Sequence, residues 1–432
     1  MNGFNFDSPC FGALLAVFLM PLLALAANED AREVSRNLSL VQAEQLMREN
    51  APSIRAAAIA LQSSRADVIT AAEAPNPQLS WNSSAINAHD SGGGPLWERS
   101  VDSVARIDQL LERGGKRSLR LRAAHAGEAA ARADYSDAMR TSRMNVARAY
   151  YDLKYLQEAE RIAHALVDLQ SHSLSAAETR LQKGDVAKVD VMRLEIELAR
   201  AQSELTDAQA AKRAGQIALT GLIGLDDAGA QLQAGDPWPS KVPLAPLPAT
   251  LDARPDIVAA TARSDLATAD VSLAQAARTR DVTVGVQFEH YPQPLSHANS
   301  VGIGFSIPLF IGNKYEGEIA RASADRRAAE DALRTTKLAA NSEIQQAQAE
   351  FIAASDKLDR YRNSVIERAQ ASADAAEYAY ARSAIGLTDL LDARRALEAI
   401  KLDAVAAEAA YAKALVTWRA AIDPSFFELA MH

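Results

Sequence analysis

Apolar and polar residues alternate along two segments in the second half of the chain. From Val282 to Glu289 the even positions are apolar and the odd positions are polar or glycine. From Val301 to Leu309 the odd positions are apolar, and the even positions up to Ser306 are small. Strands of about ten residues that are apolar on one face only are typical of a transmembrane barrel. The pattern therefore predicts two such strands.

A weaker alternation occurs in the first half of the chain. Leu79 and Trp81 belong to one candidate strand, and Val101, Ala105 and Ile107 belong to the next. The chain would then supply four strands. Four strands cannot close a barrel, and lipid does not tolerate exposed strand edges. We therefore expect several copies of the chain to combine their strands.

Long Ala-rich segments with little Gly or Pro separate the strands and predict helices. The predicted helices are 39–73, 114–182, 187–223, 252–278, 315–384 and 388–421. At 1.5 Å per residue the longest would reach about 100 Å. Two apolar stripes recur at the seven-residue spacing of a coiled-coil seam. They are Ile344, Ala347, Phe351, Ala354, Leu358, Tyr361 and Val365, and Leu390, Ala393, Leu397, Ile400, Ala404, Ala407, Tyr411, Ala414 and Trp418.

The sequence is duplicated internally. Pro52-Ser53-Ile54 aligns with Pro255-Asp256-Ile257, and a shift of about 202 residues places Gly184 on Gly386 and Asp190 on Asp392. Each repeat would contain a helix, two strands, a very long helix, a tight turn and a return helix. We predict a first repeat over 27–235, a Pro-rich extended linker over 236–250, and a second repeat over 251–432.

The N-terminus predicts export. Phe11 to Ala26 form an apolar run that ends in the small-x-small pattern Ala24-Leu25-Ala26, so residues 1–26 are expected to be a cleaved signal peptide. Cys10, the only cysteine, precedes the apolar run and would be removed with it. No later run of about eighteen apolar residues occurs, so a membrane crossing is expected to use strands. The net charge of −9 disfavours nucleic acid as a partner.

Several motifs resemble the TolC-type outer-membrane factor family over essentially the whole mature chain. They are the duplicated Pro-Ser-Ile and Pro-Asp-Ile helix starts, the strand-to-helix corner Glu112–Arg117, and the tips Gly184–Asp190 and Gly386–Asp392. The Arg-Gly-Gly-Lys-Arg run of the corner is similar to the heavy-metal branch, the CzcC- and CusC-like channels. Unlike lipid-anchored members of the family, the chain has no cysteine after the signal.

The resemblance implies a mostly helical fold with a small β part. Its long antiparallel helices would form a periplasmic tunnel, and four strands per subunit would contribute to a twelve-stranded barrel of a homotrimer in the Gram-negative outer membrane. The implied partners are outer-membrane lipid, a periplasmic adaptor protein and an inner-membrane RND-type transporter. The resemblance implies no cofactor.

The second tip resembles the periplasmic aperture of the family, where acidic rings narrow the tunnel. Asp389 and Asp392 are the predicted ring residues, because several copies of a carboxylate around a narrow pore attract cations and impede anions. In the alternative interpretation Thr388 caps the helix and Asp389 complements its dipole. The two interpretations are compatible.

The sister tip and the two glycines complete the candidate set at the tips. Asp185 and Asp190 are weaker candidates for a ring. Gly184 and Gly386 are expected to permit the turns, because glycine adopts the left-handed conformation without strain. We expect the adaptor to dock on both tips, including Thr388.

The corner between strand and helix contains Gly114, Gly115 and Lys116. A phosphate-binding loop is excluded because Arg117 stands where such a loop needs Ser or Thr. We expect the two glycines to let the chain bend from strand into helix.

The sequence contains no metal site or catalytic set that we recognise. The histidines considered as metal ligands lack the required spacing and are expected to be solvated. They are His89, His164, His172, His290 and His297. No nucleophile elbow occurs, so an exported hydrolase lacks its catalytic residues and we expect no enzyme activity.

The predicted function is the outer-membrane exit channel of a tripartite efflux pump, exporting heavy-metal cations of the Co/Zn/Cd or Cu/Ag type. One alternative is a channel of the same family for drugs or other organic compounds. The other is a structural coiled-coil protein of the envelope with no conducting role.

Overall fold

The computed structural model describes residues 37–84, 101–225, 231–246, 251–293, 296–423 and 426. The helices are α1 Leu40–Asn50, α2 Pro52–Ala72, α3 Lys116–Gln182, α4 Lys188–Ile223, α5 Pro255–Ala276, α6 Glu316–Arg360, α7 Ile366–Ala381 and α8 Leu387–Ile422. The strands are β1 Asn37–Leu38, β2 Gln78–Ser84, β3 Asp102–Leu111, β4 Gln233–Ala234, β5 Val282–Gln293 and β6 Ser296–Ser306. The predicted fold class, mostly helical with a small β part, is confirmed.

The predicted helix 39–73 is wrong as a single element. It breaks at Ala51, which has an extended backbone (φ −61°, ψ 126°), and α2 begins at Pro52. A proline has no N–H to donate, and it disfavours the helical conformation of the residue before it. Ser39 begins α1 with a capping box, because its side chain accepts from the Gln42 N–H.

The predicted helix 315–384 is interrupted by a π-helical segment at Tyr361–Val365 and ends at Ala381. A π turn inserts one residue into the helical repeat and rotates the following side chains. Phe351 and Leu358 of the predicted seam are buried, whereas Tyr361 and Val365 are half-buried. The Tyr361 hydroxyl donates instead to Asp403 Oδ2 at 3.2 Å.

The described residues form two compact units. Of the described residues, unit 1 comprises those up to Pro52 and those within Thr141–Ala245 and Ala347–Ala420, and unit 2 comprises those within Ser53–Arg140 and Pro246–Gln346 and those from Ala421 onward. None of the helices within the described ranges is long and apolar enough to cross a membrane.

Unit 1 contains two helical hairpins, the part of α3 from Thr141 onward with α4 and α7 with α8, and the parallel pair β1 and β4. Its core includes Tyr150, Tyr411 and Trp418, all fully buried. The Tyr150 hydroxyl donates to the Leu38 carbonyl and accepts from the Asp236 N–H, both at 2.9 Å. These bonds hold the first described residues against the start of the predicted linker, whose described residues 236–246 contain no helix or strand.

Unit 2 contains an antiparallel sheet in the order β2, β3, β5, β6. The register pairs Leu79 with Ile107 and Val286 with Ile303, so the predicted apolar positions share one face. That face is exposed, with Trp81 at 65% and Phe305 at 72%. β6 ends at Ser306, earlier than the alternation to Leu309 indicates, because Pro308 has no N–H for strand pairing.

A buried ion network stabilises the helices of unit 2. Arg254 binds Asp256 at 2.8 Å and Glu343 at 2.6 Å, and Arg140 binds Glu343 at 3.2 Å. Burial opposes the charge of Arg254, but the two carboxylates that accept its hydrogen bonds keep its pKa above the ordinary value. The network therefore links α3, α6 and the start of α5.

Candidate functional site: hairpin tips, strand-helix corner and sheet

The first hairpin tip is closed by a Schellman motif around Gly184. Gly184 has φ +83° and its N–H donates to the Leu181 carbonyl, while the Asp185 N–H donates to the Arg180 carbonyl. A Cβ at Gly184 would meet nothing within 4 Å, so only the backbone conformation demands glycine. Gly184 therefore has the left-handed turn conformation expected of it.

At the second tip Ser383, and not Gly386, has the left-handed conformation, so the turn predicted at Gly386 is wrong. Ser383 has φ +59°, its N–H donates to the Tyr380 carbonyl, and the Ala384 N–H donates to the Ala379 carbonyl. Gly386 lies outside the left-handed region and precedes the first residue of α8. Ser383 stands 199 positions after Gly184, so the tips correspond at this shift and not at 202.

These conformations predict opposite responses to the same substitution. We expect Gly184→Ser to lower the free energy of unfolding by about 1 kcal/mol, because a side chain is strained at positive φ. Gly386→Ser should be neutral or slightly stabilising, since serine is a favourable N-cap. Ser383→Gly should raise the melting temperature. Thermal unfolding checks all three, and equal losses for the two serine variants would contradict the assignment of the tips.

Asp389 caps the second return helix. Its Oδ2 accepts the Gly386 N–H at 3.2 Å, and its side chain is exposed. Thr388 is the second residue of α8 and not its N-cap, contrary to the alternative considered for it, and its hydroxyl accepts from Arg193 Nη1 at 3.2 Å. Asp392 is exposed and lies 3.2 Å from Arg395 Nη1. Both aspartates are thus accessible to solvent, and capping by Asp389 leaves its charge in place.

The aspartates of the first tip differ from each other. Asp185 is exposed in the turn. Asp190 is half-buried in the first turn of α4, where its Oδ1 lies 3.7 Å from Arg193 Nη1. Asp190 therefore occupies the helical position that Asp389 occupies at the second tip, again 199 residues away.

The two hairpins of unit 1 pack together at their tips. A buried apolar cluster joins residues from both, namely Ala177, Val191, Leu194, Leu387, Leu390 and Leu391. Arg395 of α8 binds Glu197 of α4 through two nitrogens. Arg394 binds Glu377 at 2.9 Å and donates to the Ser173 hydroxyl at 3.0 Å.

Sequence reasoning missed these arginines and Glu197. A signal existed, because Glu197 and Arg395 lie 198 positions apart, almost the shift that relates the two tips. Opposite charges at nearly equivalent positions of two packed return helices indicate an ion pair between them. The hydrogen bonds that Arg395 donates to the Glu197 carboxylate raise the pKa of Arg395.

The strand-helix corner is built as predicted. Gly114 and Gly115 have φ +71° and +69°, and a Cβ at Gly114 would lie 2.7 Å from the Thr279 Cβ. Lys116 Nζ binds Asp281 Oδ2 at 2.7 Å. Burial alone would raise the pKa of Asp281, but Lys116 and the backbone N–H of residue 113 hold it below the ordinary value. The corner thus connects the end of β3 to the start of β5.

The second face of the sheet is polar. Arg106 donates to both oxygens of Asp108 at 2.8 Å and to Gln287 Oε1 at 3.1 Å. It lies flat over two glycines, since a Cβ at Gly285 or Gly304 would meet Arg106 Nη2 at 2.8 or 3.1 Å. Farther along this face, Glu289 Oε2 accepts from the hydroxyls of Tyr291 and Ser300. The sheet therefore separates an apolar face from a hydrogen-bonded polar face.

The described part of the chain contains no group of three potential metal ligands. His164 Nδ1 lies 3.1 Å from Asp168 Oδ2, and His172 Nδ1 lies 2.7 Å from the carbonyl of the same residue, both exposed on α3. His290 is buried, contrary to the expectation that it is solvated, and its Nδ1 lies 2.8 Å from Asn299 Oδ1. His89 and the side chain of His297 lie outside the described residues.

The sequence matches a known protein family and is similar to named relatives. The family described as "Outer membrane efflux protein" matches residues 43–225 and 247–422. "Cobalt-zinc-cadmium resistance protein CzcC" of Cupriavidus metallidurans is 25% identical over 394 residues, 89% of this chain and 91% of that protein. "Pyoverdine export outer membrane protein OpmQ" of Pseudomonas putida is 28% identical over 66% of this chain and 62% of its own length.

Solved structures share the fold. The Campylobacter jejuni CmeC outer membrane channel superposes with a TM-score of 0.75 at 18% identity, over 88% of this chain and 85% of its own. CusC superposes with a TM-score of 0.74 at 18% identity, over 88% and 91%. The chain belongs to the outer membrane efflux protein family, the TolC-type family that its motifs resemble, and is an efflux channel of the outer membrane.

Proposed function

We propose that three copies of this chain close their sheets into one barrel and act as the exit duct of a tripartite pump for heavy-metal cations. The observation that carries the proposal is the open sheet of unit 2, whose edge strands are β2 and β6. Unpaired strand edges are not tolerated in lipid, and four strands are too few to enclose a lumen. Three copies would supply twelve strands.

The exposed face of the sheet supports a lipid-facing barrel wall. Val301 and Ile303 are more than 70% exposed, and the apolar side chains beside them on β3 and β5 are also exposed. In water such a face would be covered by another element, because burial of apolar surface stabilises a fold. Outer-membrane lipid is therefore the proposed partner of this face.

The similarity to CzcC over most of both chains supports metal cations of the Co/Zn/Cd type as the cargo. The charge of the polar face supports the same cargo. Asp102, Asp108 and Glu289 lie on this face with one compensating cation, Arg106. An acidic lining favours the passage of cations.

An organic cargo is the second candidate. The similarity to OpmQ, whose name refers to pyoverdine export, favours it. A channel that receives its cargo from a pump would serve either class of substrate.

The proposed partners are a periplasmic adaptor protein and an inner-membrane RND-type transporter. We propose that the adaptor docks at the tips, where Val189, Met192 and Ile196 form an exposed apolar stripe on α4. We also propose that residues 1–26 are removed as a signal peptide. The mature chain would then consist of two repeats, 27–235 and 251–432.

Deleting the gene in a strain that lacks related channels tests the cargo. We expect survival in cobalt, zinc or cadmium salts to fall, and survival in organic toxins to stay unchanged, because the pump would lose its exit path. Re-expression of the chain should restore metal survival. Sensitivity to organic compounds alone would support the second candidate, and unchanged survival in both would contradict an efflux role.

A further inference from the structure

One end of the sheet in unit 2 has a surplus of basic residues. The segments 112–120, 278–281 and 314–318 contain seven Lys or Arg and four Asp or Glu. The whole chain has the opposite balance, with 46 basic and 55 acidic residues. The positive charge is therefore local to this end.

The three segments meet because the strands end together. Leu111 pairs with Val282, and Thr283 pairs with Ser306, so β3 ends, β5 begins and β6 ends at the same edge. The Arg278 Nε donates to the Lys314 carbonyl at 3.2 Å. Arg280 lies over the ring of Phe310 at 5.4 Å. The basic residues of separate segments are thus neighbours.

Two of the four carboxylates in these segments are neutralised by ion pairs. Asp281 binds Lys116, and Glu112 binds Arg120, whose hydrogen bond lowers the pKa of Glu112. Five other basic residues have no carboxylate oxygen within 4.0 Å among the residues described. This cationic collar consists of Arg113, Arg117, Arg278, Arg280 and Lys314, all exposed. Glu316 and Glu318 begin α6 beside the collar without pairing with it.

The exposed apolar surface of the sheet reaches the collar. Phe305 on β6 is 72% exposed, and beyond the end of the strand Leu309 and Ile311 are 70% and 84% exposed. Arg117 and Arg278 are fixed by backbone carbonyls, whereas Arg113 and Lys314 have no hydrogen bond from their side chains in the described part. An apolar surface bordered by free cationic side chains matches a lipid leaflet with its phosphates.

We propose that the cationic collar binds the headgroups of anionic phospholipids in the leaflet on the helical side of the membrane. The guanidinium groups would donate paired hydrogen bonds to phosphodiester oxygens, while Leu309 and Ile311 lie among the acyl chains. The inference rests on the proposed barrel, because only a membrane-crossing sheet brings its end to headgroup depth. The collar would set the depth of the channel in the bilayer.

Native mass spectrometry of the full-length protein in neutral detergent tests the site. The probes are dioleoylphosphatidylglycerol, which is anionic, and dioleoylphosphatidylethanolamine, a zwitterion with no net charge, as the comparison. We expect the wild type to prefer phosphatidylglycerol. The triple variant Arg113→Gln, Arg280→Gln and Lys314→Gln should lose this preference, with a drop in affinity of roughly tenfold or more. Arg113→Lys with Arg280→Lys should retain most of it.

A matched control removes the same charge elsewhere in unit 2. Arg55, Arg132 and Arg334 are exposed on α2, α3 and α6, away from the end of the sheet. Their replacement by glutamine should leave phosphatidylglycerol binding unchanged. Equal loss in the control, or equal binding of the two lipids by the wild type, would overturn the proposal. So would displacement of the lipid by millimolar inorganic phosphate, which would assign the site to a free anion.

The proposed barrel is tested separately by recording conductance in bilayers of lipid with no net charge. If channels form there but native mass spectrometry finds no preference for phosphatidylglycerol, only the collar is refuted. No conductance in either lipid would refute the barrel itself.

Discussion

Replacing Asp389 and Asp392 together by asparagine is expected to reduce the cation preference of the channel severalfold without unfolding it. In a trimer whose tunnel narrows at this tip, the two positions would place six carboxylates around the pore, where their field would act on passing ions with little screening. An asparagine at 389 can still accept the Gly386 N–H, so the cap is kept and only the charge is lost. The stability cost should not exceed about 0.3–1 kcal/mol per charge.

Reversal potentials across a salt gradient in planar bilayers measure this preference. The control is Asp185→Asn with Asp190→Asn, which removes the same charge from the first tip. A larger loss of selectivity in the control would move the ring to Asp185 and Asp190. Unchanged selectivity with a lowered melting temperature would restrict Asp389 to its role as a cap.

Neutralising either member of the ion pair between Glu197 and Arg395 is expected to widen the tip and raise single-channel conductance. The pair links the two return helices of one chain, and Glu197 is largely buried, with 12% of its side chain exposed. Arg395 is 47% exposed, which limits the pair to about 0.2–1 kcal/mol. In a trimer all three copies would lose this ion pair, and the three losses would together affect the conductance of one pore.

A double-mutant cycle separates this effect from general damage. Because Glu197→Gln and Arg395→Gln break the same contact, the double variant should conduct no more than either single variant. The control is Arg200→Gln with Glu204→Gln, an exposed pair within α4 at 3.0 Å. Additive increases in conductance, or an equal increase in the control, would show that the pair does not hold the tip.

Much of the fold follows from local sequence rules. The alternation around Val284 and Ile303 predicts strands with the observed faces, because side chains alternate along a strand. The Gly-Gly corner is also predictable, since both residues need positive φ. The break at Ala51 was predictable from the proline that follows it, since Pro52 is a helix start in the repeat motif, yet the single helix 39–73 was predicted across it.

The second tip could not be predicted in the same way. Its left-handed residue is Ser383, and serine is not a signal for that conformation. The turn was assigned to Gly386, which lies three residues after Ser383. The two tips were therefore aligned at a shift of 202 residues instead of 199. Only the hydrogen bonds of the Schellman motif identify the turn.

Contacts between distant segments were also beyond sequence reasoning. Arg106 lies over Gly285 and Gly304 because the register of β3, β5 and β6 brings these positions together. The cationic collar also joins segments that are far apart in the sequence. The Arg113 N–H donates to the Asp281 carboxylate, and these two residues are 168 positions apart. Such groupings depend on the pairing of whole strands.

Single-channel recording of the purified full-length protein in planar lipid bilayers tests the central claim most directly. A barrel closed by three copies should produce uniform conductance steps that favour cations, from a species that runs as a trimer before heating and as a monomer after it. A protein that remains monomeric in detergent and produces no conductance steps would contradict the account.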